Sequence, residues 1–152
     1  MIELVVQDVS GFGEVPGHSA FSQWIQPVLA DSGSVGLTIR VVDEAESKAL
    51  NLQYRGKAYP TNVLAFPADL PPQVIDELET PPLGDIVICA GVVASEATNQ
   101  NKPIRSHWAH LAVHGVLHLL GFDHQDDDQA TVMESLEVRY LAELGFPNPY
   151  QA

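Results

Sequence analysis

The chain has 152 residues, which is enough for about one domain with a substantial hydrophobic core. Its hydrophobic fraction of 45% argues against disorder, and no apolar run approaches the roughly 18 residues that span a bilayer. A net charge of −13, from 7 basic and 20 acidic residues, disfavours binding to DNA or to polyanions in general.

The N-terminus and the cysteine content indicate a cytoplasmic protein. The opening segment MIELVVQDV lacks a basic n-region and carries Glu3 and Asp8 in its apolar stretch, unlike a secretory signal peptide. Cys89 is the only cysteine, which excludes an internal disulfide framework. Because Cys89 lies in the apolar run DIVICAG, we expect it to be a buried small hydrophobic residue.

Hydrophobic periodicity predicts that strands dominate the first part of the chain. In chain order we expect a strand over 2–8, a helix over 19–33, a strand over 35–43, a helix opened by the capping-box spacing of Asp43 and Glu46, and strands over 63–66 and 84–89. The segments RGKAYPTN and PADLPP are rich in turn-forming residues and are predicted to be loops.

The last third of the chain is predicted to be helical. One helix runs from about residue 106 to 120, and Gly121 is a natural C-terminal stop. A second helix runs over 126–145, with its acidic run at the positive end of the helix dipole. Early strands followed by late helices predict an α+β fold, a single domain over 1–152 with a small mixed sheet packed with helices.

Three histidines in the segment HGVLHLLGFDH, residues 114–124, have the spacing of metal ligands. An α-helix advances about 100° per residue, so His114 and His118 lie about 40° apart on one face. Gly121 allows the chain to reverse, and His124 follows it by three residues. Three imidazoles leave a fourth tetrahedral position open, so we predict one catalytic Zn²⁺ per chain, although imidazole also suits copper, nickel or iron.

Three further residues near this motif have less definite roles. His110 cannot easily join His114 and His118 on one ion from a straight helix, so it is predicted to line a cleft or to pack. His107 is predicted to lie at the surface or to pack. Asp123 either orients a metal ligand through its carboxylate or is a turn residue, and the sequence leaves both open.

The motif matches the metzincin pattern H-E-x-x-H-x-x-G-x-x-H except at one position, where Gly115 replaces the glutamate. A glycine cannot accept a proton from metal-bound water, so a peptidase built on this metzincin-like helix would lack its general base. A metalloprotease is therefore the weaker interpretation of the three histidines.

The histidine segment resembles the signature of the YbeY-type bacterial rRNA-maturation endoribonuclease family. AHLAVHG, NLQYRGKAYPTNVLAFP (51–67) and LGDIVIC (83–89) agree with that family in the same order, so the resemblance covers most of the chain. It implies a small α/β domain with the metal helix over a mixed sheet. It also implies metal-dependent, single-strand-specific endoribonucleolytic cleavage in rRNA maturation, including processing of the 16S 3′ end, and in ribosome quality control.

The resemblance also assigns functional residues. His114, His118 and His124 match the metal ligands of the family, and Arg55 matches its arginine in the loop facing the metal. Arg55 and His114 are thus the implied catalytic residues, with Arg55 holding a phosphate bidentately and offsetting charge that develops in the transition state. Without the resemblance to this family, Arg55 would be interpreted as a solvated arginine in a loop.

Some members of the family have Asp and Ser where this chain has Asn62 and Ala65, so no role is expected for these two side chains. The implied partners are ribosomal RNA and the ribosome or its associated proteins, which would help to deliver RNA to an acidic chain. Two alternatives stay open: another zinc-dependent hydrolase of the metalloprotease type, and a non-catalytic ribosome-associated factor whose metal is structural. The sequence does not decide whether water or the RNA 2′-hydroxyl attacks.

Overall fold

The computed structural model describes residues 1–151, within which four strands and six helices are present. In chain order these are β1 (Ile2–Asp8), α1 (His18–Ile25), β2 (Val35–Val42), α2 (Glu44–Arg55), β3 (Val63–Pro67), α3 (Pro72–Glu77), β4 (Pro82–Cys89), α4 (Ala90–Asn99), α5 (Ile104–Leu119) and α6 (Asp127–Glu143). Over the same residues, no helix combines the length and the apolar character that crossing a membrane requires.

The four strands form one mixed sheet in the order β1-β2-β4-β3. β1, β2 and β4 are parallel, and β3 pairs antiparallel with β4 at the edge. β2 alternates buried residues such as Leu37 and Ile39 with half-buried ones such as Thr38 and Arg40. The second half of β4, residues 86–89, is buried on both faces, which explains its continuous apolar run IVIC. The predicted α+β fold, a single small domain with a mixed sheet, is confirmed.

The main core lies between one face of the sheet and the helices packed on it. Ile39, Ile86 and Ile88 are fully buried on that face, opposite residues of α1, α5 and α6. Phe21 packs edge-to-face against Trp24 and Trp108, with ring centroids 5.6 and 6.0 Å apart. α5 runs through this core and contacts β3, β4, α1, α4 and α6, so its residues are held from several sides.

A smaller apolar cluster lies apart from the main core. It contains Val42, Leu64, Val87 and Cys89, with Leu50 of α2 packed against it. Cys89 is fully buried, as the sequence predicted. α2 also begins as predicted, since Asp43 Oδ1 accepts a hydrogen bond from the Glu46 N–H at 2.8 Å.

Three helices differ from the sequence expectation. α1 ends at Ile25 and continues as irregular turns because Pro27 has no N–H to bond to the preceding turn. α3 starts at Pro72, the last residue of the segment PADLPP that was expected to be a loop, and a missing N–H costs nothing at this first helical position. α4 follows β4 without a break, and no pattern in the sequence predicted it.

Candidate metal centre

The end of α5 and the turn after it bring the three predicted histidines together. His114 and His118 lie one turn apart near the end of α5. Gly121 then takes a φ of 100°, and its N–H donates to the His118 carbonyl at 3.0 Å. The next N–H, that of Phe122, donates to the Leu117 carbonyl at 3.1 Å, which completes a Schellman-type stop. The reversal predicted at Gly121 is therefore present.

One nitrogen from each of the three histidines forms a compact donor set. These ligand atoms of His114, His118 and His124 all lie within 4.8 Å of one another. The Nε2 atoms of His114 and His118 are 3.1 Å apart. Two nitrogens on one tetrahedral zinc with bonds of 2.0–2.1 Å would lie about 3.3 Å apart. The donor set therefore fits a single metal ion, and the role of the three residues as ligands stays a prediction.

The electrostatics of His118 favour the form that binds metal. Burial lowers the pKa of His118, and the neighbouring rings of His114 and His124 lower it further. The neutral imidazole is the state in which histidine donates a lone pair to a metal. The carboxylates of Asp123 and Glu137 act in the opposite direction and are smaller causes.

The sequence left two roles open for Asp123, and the structure shows one contact of its side chain. Its Oδ1 accepts a hydrogen bond from the His124 N–H at 2.8 Å, so its carboxylate stabilises the turn that presents His124. This contact supports the interpretation of Asp123 as a turn residue. Asp123 nevertheless lines the same cleft as the histidines.

Glu137 is a buried acid beside the donor set that the sequence did not reveal. Its side chain is 1% exposed, and its Oε1 lies 3.0 Å from His114 Nδ1 and 2.7 Å from His110 Nε2. Burial alone would raise the pKa of Glu137, but hydrogen bonds from His110 and His114 outweigh it and hold the pKa at about 2. Glu137 is therefore ionised and accepts from both rings.

The signal for Glu137 lies in the pattern of α6. Glu137 falls four residues after Met133 and four before Leu141, both 1% exposed, so it occupies a position in the buried stripe of the helix. An acid in such a stripe points to a buried partner. Only the packing of α6 on α5 shows that the partners are histidines.

Arg55 lies at the end of α2 and faces the donor set across an open cleft of about 330 Å³. Gly56 ends the helix in the left-handed conformation, with a φ of 69°. Within residues 1–151, no carboxylate lies within ion-pair distance of Arg55. The lining of the cleft consists of Arg55, Thr61, Asn62, Val63, Leu64, Ala65, His114, His118, Asp123 and His124. The structure thus brings all four predicted site residues to one cleft, and the role of Arg55 stays a prediction.

The two remaining histidines of α5 lie outside this cleft. His107 is 4% exposed, and its Nε2 lies 2.9 Å from Glu96 Oε1, so it is a packing residue with one polar contact. Asn62 Nδ2 donates to the same carboxylate oxygen at 3.0 Å. His110 packs against Glu137 behind the donor set rather than lining the cleft.

The fold and the cleft define a class of small α+β proteins in which a central helix and the turn after it present three histidines to one open pocket. Comparison with known proteins narrows this class to one family. The family model described as endoribonuclease YbeY matches residues 14–145. The chain therefore belongs to the endoribonuclease YbeY family, as the resemblance of its motifs implied.

Two relatives and one solved structure agree with this assignment. The chain is 50% identical to a protein of Alcanivorax borkumensis named endoribonuclease YbeY, over 95% of this chain and 84% of the relative. It is 52% identical to a protein of the same name from Halorhodospira halophila, over 99% of this chain and 97% of the relative. The solution structure of TM1509 from Thermotoga maritima covers 100% of both chains with a TM-score of 0.57 at 23% identity, which supports the fold.

Proposed function

We propose that this chain is a metal-dependent, single-strand-specific endoribonuclease that acts in ribosomal RNA maturation, including the 16S 3′ end, and in ribosome quality control. The observation that carries the proposal is the convergence of Arg55 and three histidines on one open cleft. Membership of the endoribonuclease YbeY family supports the reaction, because two relatives about half identical to the chain bear that name.

The proposed cofactor is one Zn²⁺ per chain, held by His114, His118 and His124, although other divalent transition metals also accept three imidazoles. When bound, such an ion polarises a phosphoryl oxygen and promotes loss of a proton from the attacking oxygen. The chain supplies three imidazole nitrogens on one side of the cleft and leaves the opposite side to the substrate.

Arg55 supplies the positive charge on that opposite side. A guanidinium that has no carboxylate partner among the described residues is free to donate two parallel hydrogen bonds to a phosphate. Such donors are most useful where negative charge increases towards the transition state. We therefore propose that Arg55 orients the scissile phosphate against the metal centre and stabilises the charge that develops on its oxygens.

The position after His114 favours RNA over peptide as the substrate. Gly115 offers no base, whereas RNA carries its own nucleophile in the 2′-hydroxyl. Metal and Arg55 would then suffice without a glutamate on the helix. Water remains the alternative nucleophile, and the cleaved ends distinguish the two, since a 2′,3′-cyclic phosphate excludes direct attack by water.

The charge of the chain bears on its partners. With a net charge of −13, the protein repels naked RNA at long range. We propose that it works in the cytoplasm on the maturing ribosome, where ribosome-associated proteins help to present single-stranded segments of RNA. Binding to purified RNA alone should accordingly be weak and should depend strongly on salt.

The proposal is tested with purified protein and a ribosomal RNA precursor that contains defined single- and double-stranded regions. We expect the wild type to cut only unpaired segments, a chelator to abolish cleavage, and Zn²⁺ to restore it. Arg55→Ala should bind the metal as the wild type does and lose ~10²–10³-fold in the rate of cleavage, the usual effect of removing one transition-state donor.

Other outcomes would support the alternatives. Chelator-sensitive cleavage of casein without cleavage of RNA would favour a metalloprotease-like hydrolase. Loss of folding on metal removal, with no cleavage of either substrate, would favour a ribosome-associated factor with a structural metal. Equal rates for the wild type and Arg55→Ala would remove Arg55 from the mechanism.

A further inference from the structure

We propose that Glu137 is a positioning residue of the metal centre, which fixes the ring and the proton of His114 so that Nε2 is the bare nitrogen facing His118. The inference rests on the proposed function, because it takes His114 to be a metal ligand. It adds a residue from α6 to a site otherwise built from α2, α5 and the turn after α5.

The contact between Glu137 and His114 determines which ring nitrogen carries the proton. A hydrogen bond from the Nδ1 of His114 to the carboxylate oxygen Oε1 of Glu137, 3.0 Å away, places the ring proton on Nδ1. The other nitrogen, Nε2, then has a free lone pair and lies 3.1 Å from His118 Nε2. A carboxylate behind a metal-binding imidazole holds the ring in place and makes its lone pair more basic.

Glu137 is buried, so its contacts must offset the free-energy cost of removing a carboxylate from water. At 1% exposure it is the one carboxylate on the buried stripe of α6, flanked by Met133 and Leu141. Burial of a charged group costs free energy unless hydrogen bonds or an opposite charge offset it. His110, His114 and Tyr150 supply three hydrogen-bonding contacts, and a cation on the far side of His114 would supply the charge.

Tyr150 fixes the second oxygen of the same carboxylate. Its hydroxyl donates to Glu137 Oε2 at 2.8 Å, and its ring packs edge-to-face on His110 with centroids 5.4 Å apart. The segment that carries Tyr150 is held against the loop between α4 and α5 by a hydrogen bond from Lys102 Nζ to the Pro149 carbonyl. With Oε2 fixed by Tyr150, Oε1 stays directed at His114.

A second cation bound between His110, His114 and Glu137 is the competing interpretation, since their ligand atoms also lie within 4.8 Å of one another. The contact of 2.7 Å between His110 Nε2 and Glu137 Oε1 is shorter than the roughly 3.3 Å between two ligands on one tetrahedral zinc. Hydrogen bonds explain this short contact directly. The stoichiometry of bound zinc separates the two interpretations.

The experiment measures the affinity and stoichiometry of Zn²⁺ binding to the full chain, by competition with a chromogenic chelator. The variants are Glu137→Gln, which keeps the shape and removes the charge, and Tyr150→Phe, which removes only the hydroxyl. We expect the wild type to bind one Zn²⁺ and Glu137→Gln to bind it ~10–100-fold more weakly. Tyr150→Phe should show a smaller loss.

Glu134→Gln is the matched control, since Glu134 is an exposed acid on the same helix and its loss changes the net charge equally. Its affinity for Zn²⁺ should equal that of the wild type. Two-bond ¹H–¹⁵N spectra of the metal-free wild type give a second readout, in which His114 should be protonated on Nδ1. This readout does not depend on whether Glu137→Gln folds.

Each unfavourable outcome has a distinct meaning. Equal affinity of the wild type and Glu137→Gln, or a wild-type His114 protonated on Nε2, would overturn the inference and leave the proposed function intact. Two Zn²⁺ in the wild type and one in Glu137→Gln would overturn it in favour of an inner cation site. A wild type that takes up no Zn²⁺ would overturn the proposed metal site and this inference with it.

Discussion

Gly115 lies so close to Ile86 that a Cβ at this position would be 2.9 Å from the Ile86 Cγ2. Ile86 is fully buried at the centre of β4, and Gly115 is buried on the face of α5 that packs against it. The residue that replaces the metzincin glutamate is therefore a packing requirement of the helix on the sheet. A larger side chain at position 115 would require the Ile86 side chain to move or α5 to shift away from β4.

We expect Gly115→Glu, which would recreate the H-E-x-x-H pattern, to destabilise the fold without conferring cleavage of casein. Gly115→Ala should lower the free energy of unfolding by less, because the overpacking penalty of ~1–3 kcal/mol is partly offset by a gain of ~1 kcal/mol in helix propensity. Urea denaturation measures both. Gly13→Ala is the control, since a Cβ at Gly13 meets no atom within 4 Å. If the Gly115→Ala variant were more stable than the wild type, the Ile86 side chain would have to move aside without a loss of free energy.

The left-handed turn at Gly121 couples the backbone to the metal centre. A side chain at a φ of 100° is strained, so we expect Gly121→Ala to lower the free energy of unfolding by ~1–2 kcal/mol and to displace His124. Affinity for Zn²⁺ should therefore fall as well, as measured by chelator competition. Gly33→Ala is the matched control, because Gly33 has a φ of 69° but does not line the cleft. Equal loss of zinc affinity in both variants would contradict a local effect on His124.

The sequence predicted those parts of the fold and site whose causes are local. Apolar and β-branched runs predicted all four strands, the helical patterns predicted α5 and α6, and the capping-box spacing predicted α2, whose Asp43 capping contact is present. The spacing of His114, His118 and His124 around Gly121 is also a local relationship, since a helix and one reversal bring these residues together. Local geometry of this kind depends on a few neighbouring residues, so it can be predicted without knowledge of the rest of the chain.

The features that the sequence did not predict depend on distant contacts. α4 contains Gly91, two adjacent valines and no capping side chain, so its helical state comes from packing of Val93 and Ala97 rather than from propensity. Glu137 is one of several acids in α6, and only the docking of α6 on α5 singles it out. The early end of α1 is the exception, because its cause, Pro27, is local and the expected helix over 19–33 runs past it.

The contact between Glu96 and His107 makes part of the stability depend on pH. A hydrogen bond from His107 lowers the pKa of Glu96, burial opposes this, and a hydrogen bond from Asn62 adds to it. A carboxyl with a lowered pKa in the folded state stabilises the fold above its ordinary pKa, and this contribution is lost as the pH falls through the lowered pKa. We expect Glu96→Gln to abolish that part of the dependence.

Urea denaturation of the wild type and Glu96→Gln between pH 7 and pH 3 checks this prediction. The difference in the free energy of unfolding should be largest above the ordinary pKa of glutamate and should shrink as the pH falls through the lowered pKa of Glu96. Glu143→Gln is the control, because Glu143 makes only an exposed contact with Arg139 at 3.5 Å. A difference that is constant across this range would show that Glu96 acts through shape rather than charge.

His124 allows a test of the metal site that does not disturb the core. Unlike His114 and His118, it is exposed and lies in a turn, so His124→Ala should fold as the wild type does without metal. Saturating Zn²⁺ should raise the melting temperature of the wild type, since a ligand at 100 times its Kd adds ~2.7 kcal/mol. The same concentration should raise the melting temperature of His124→Ala little, because two imidazoles hold the ion far more weakly than three.

His18→Ala is the control, because His18 is an exposed histidine whose Nε2 lies 3.0 Å from the Leu4 carbonyl. This variant should show the same rise in melting temperature as the wild type. A full shift in His124→Ala would remove His124 from the ligand set, whereas a metal-free wild type that fails to fold would favour a structural metal.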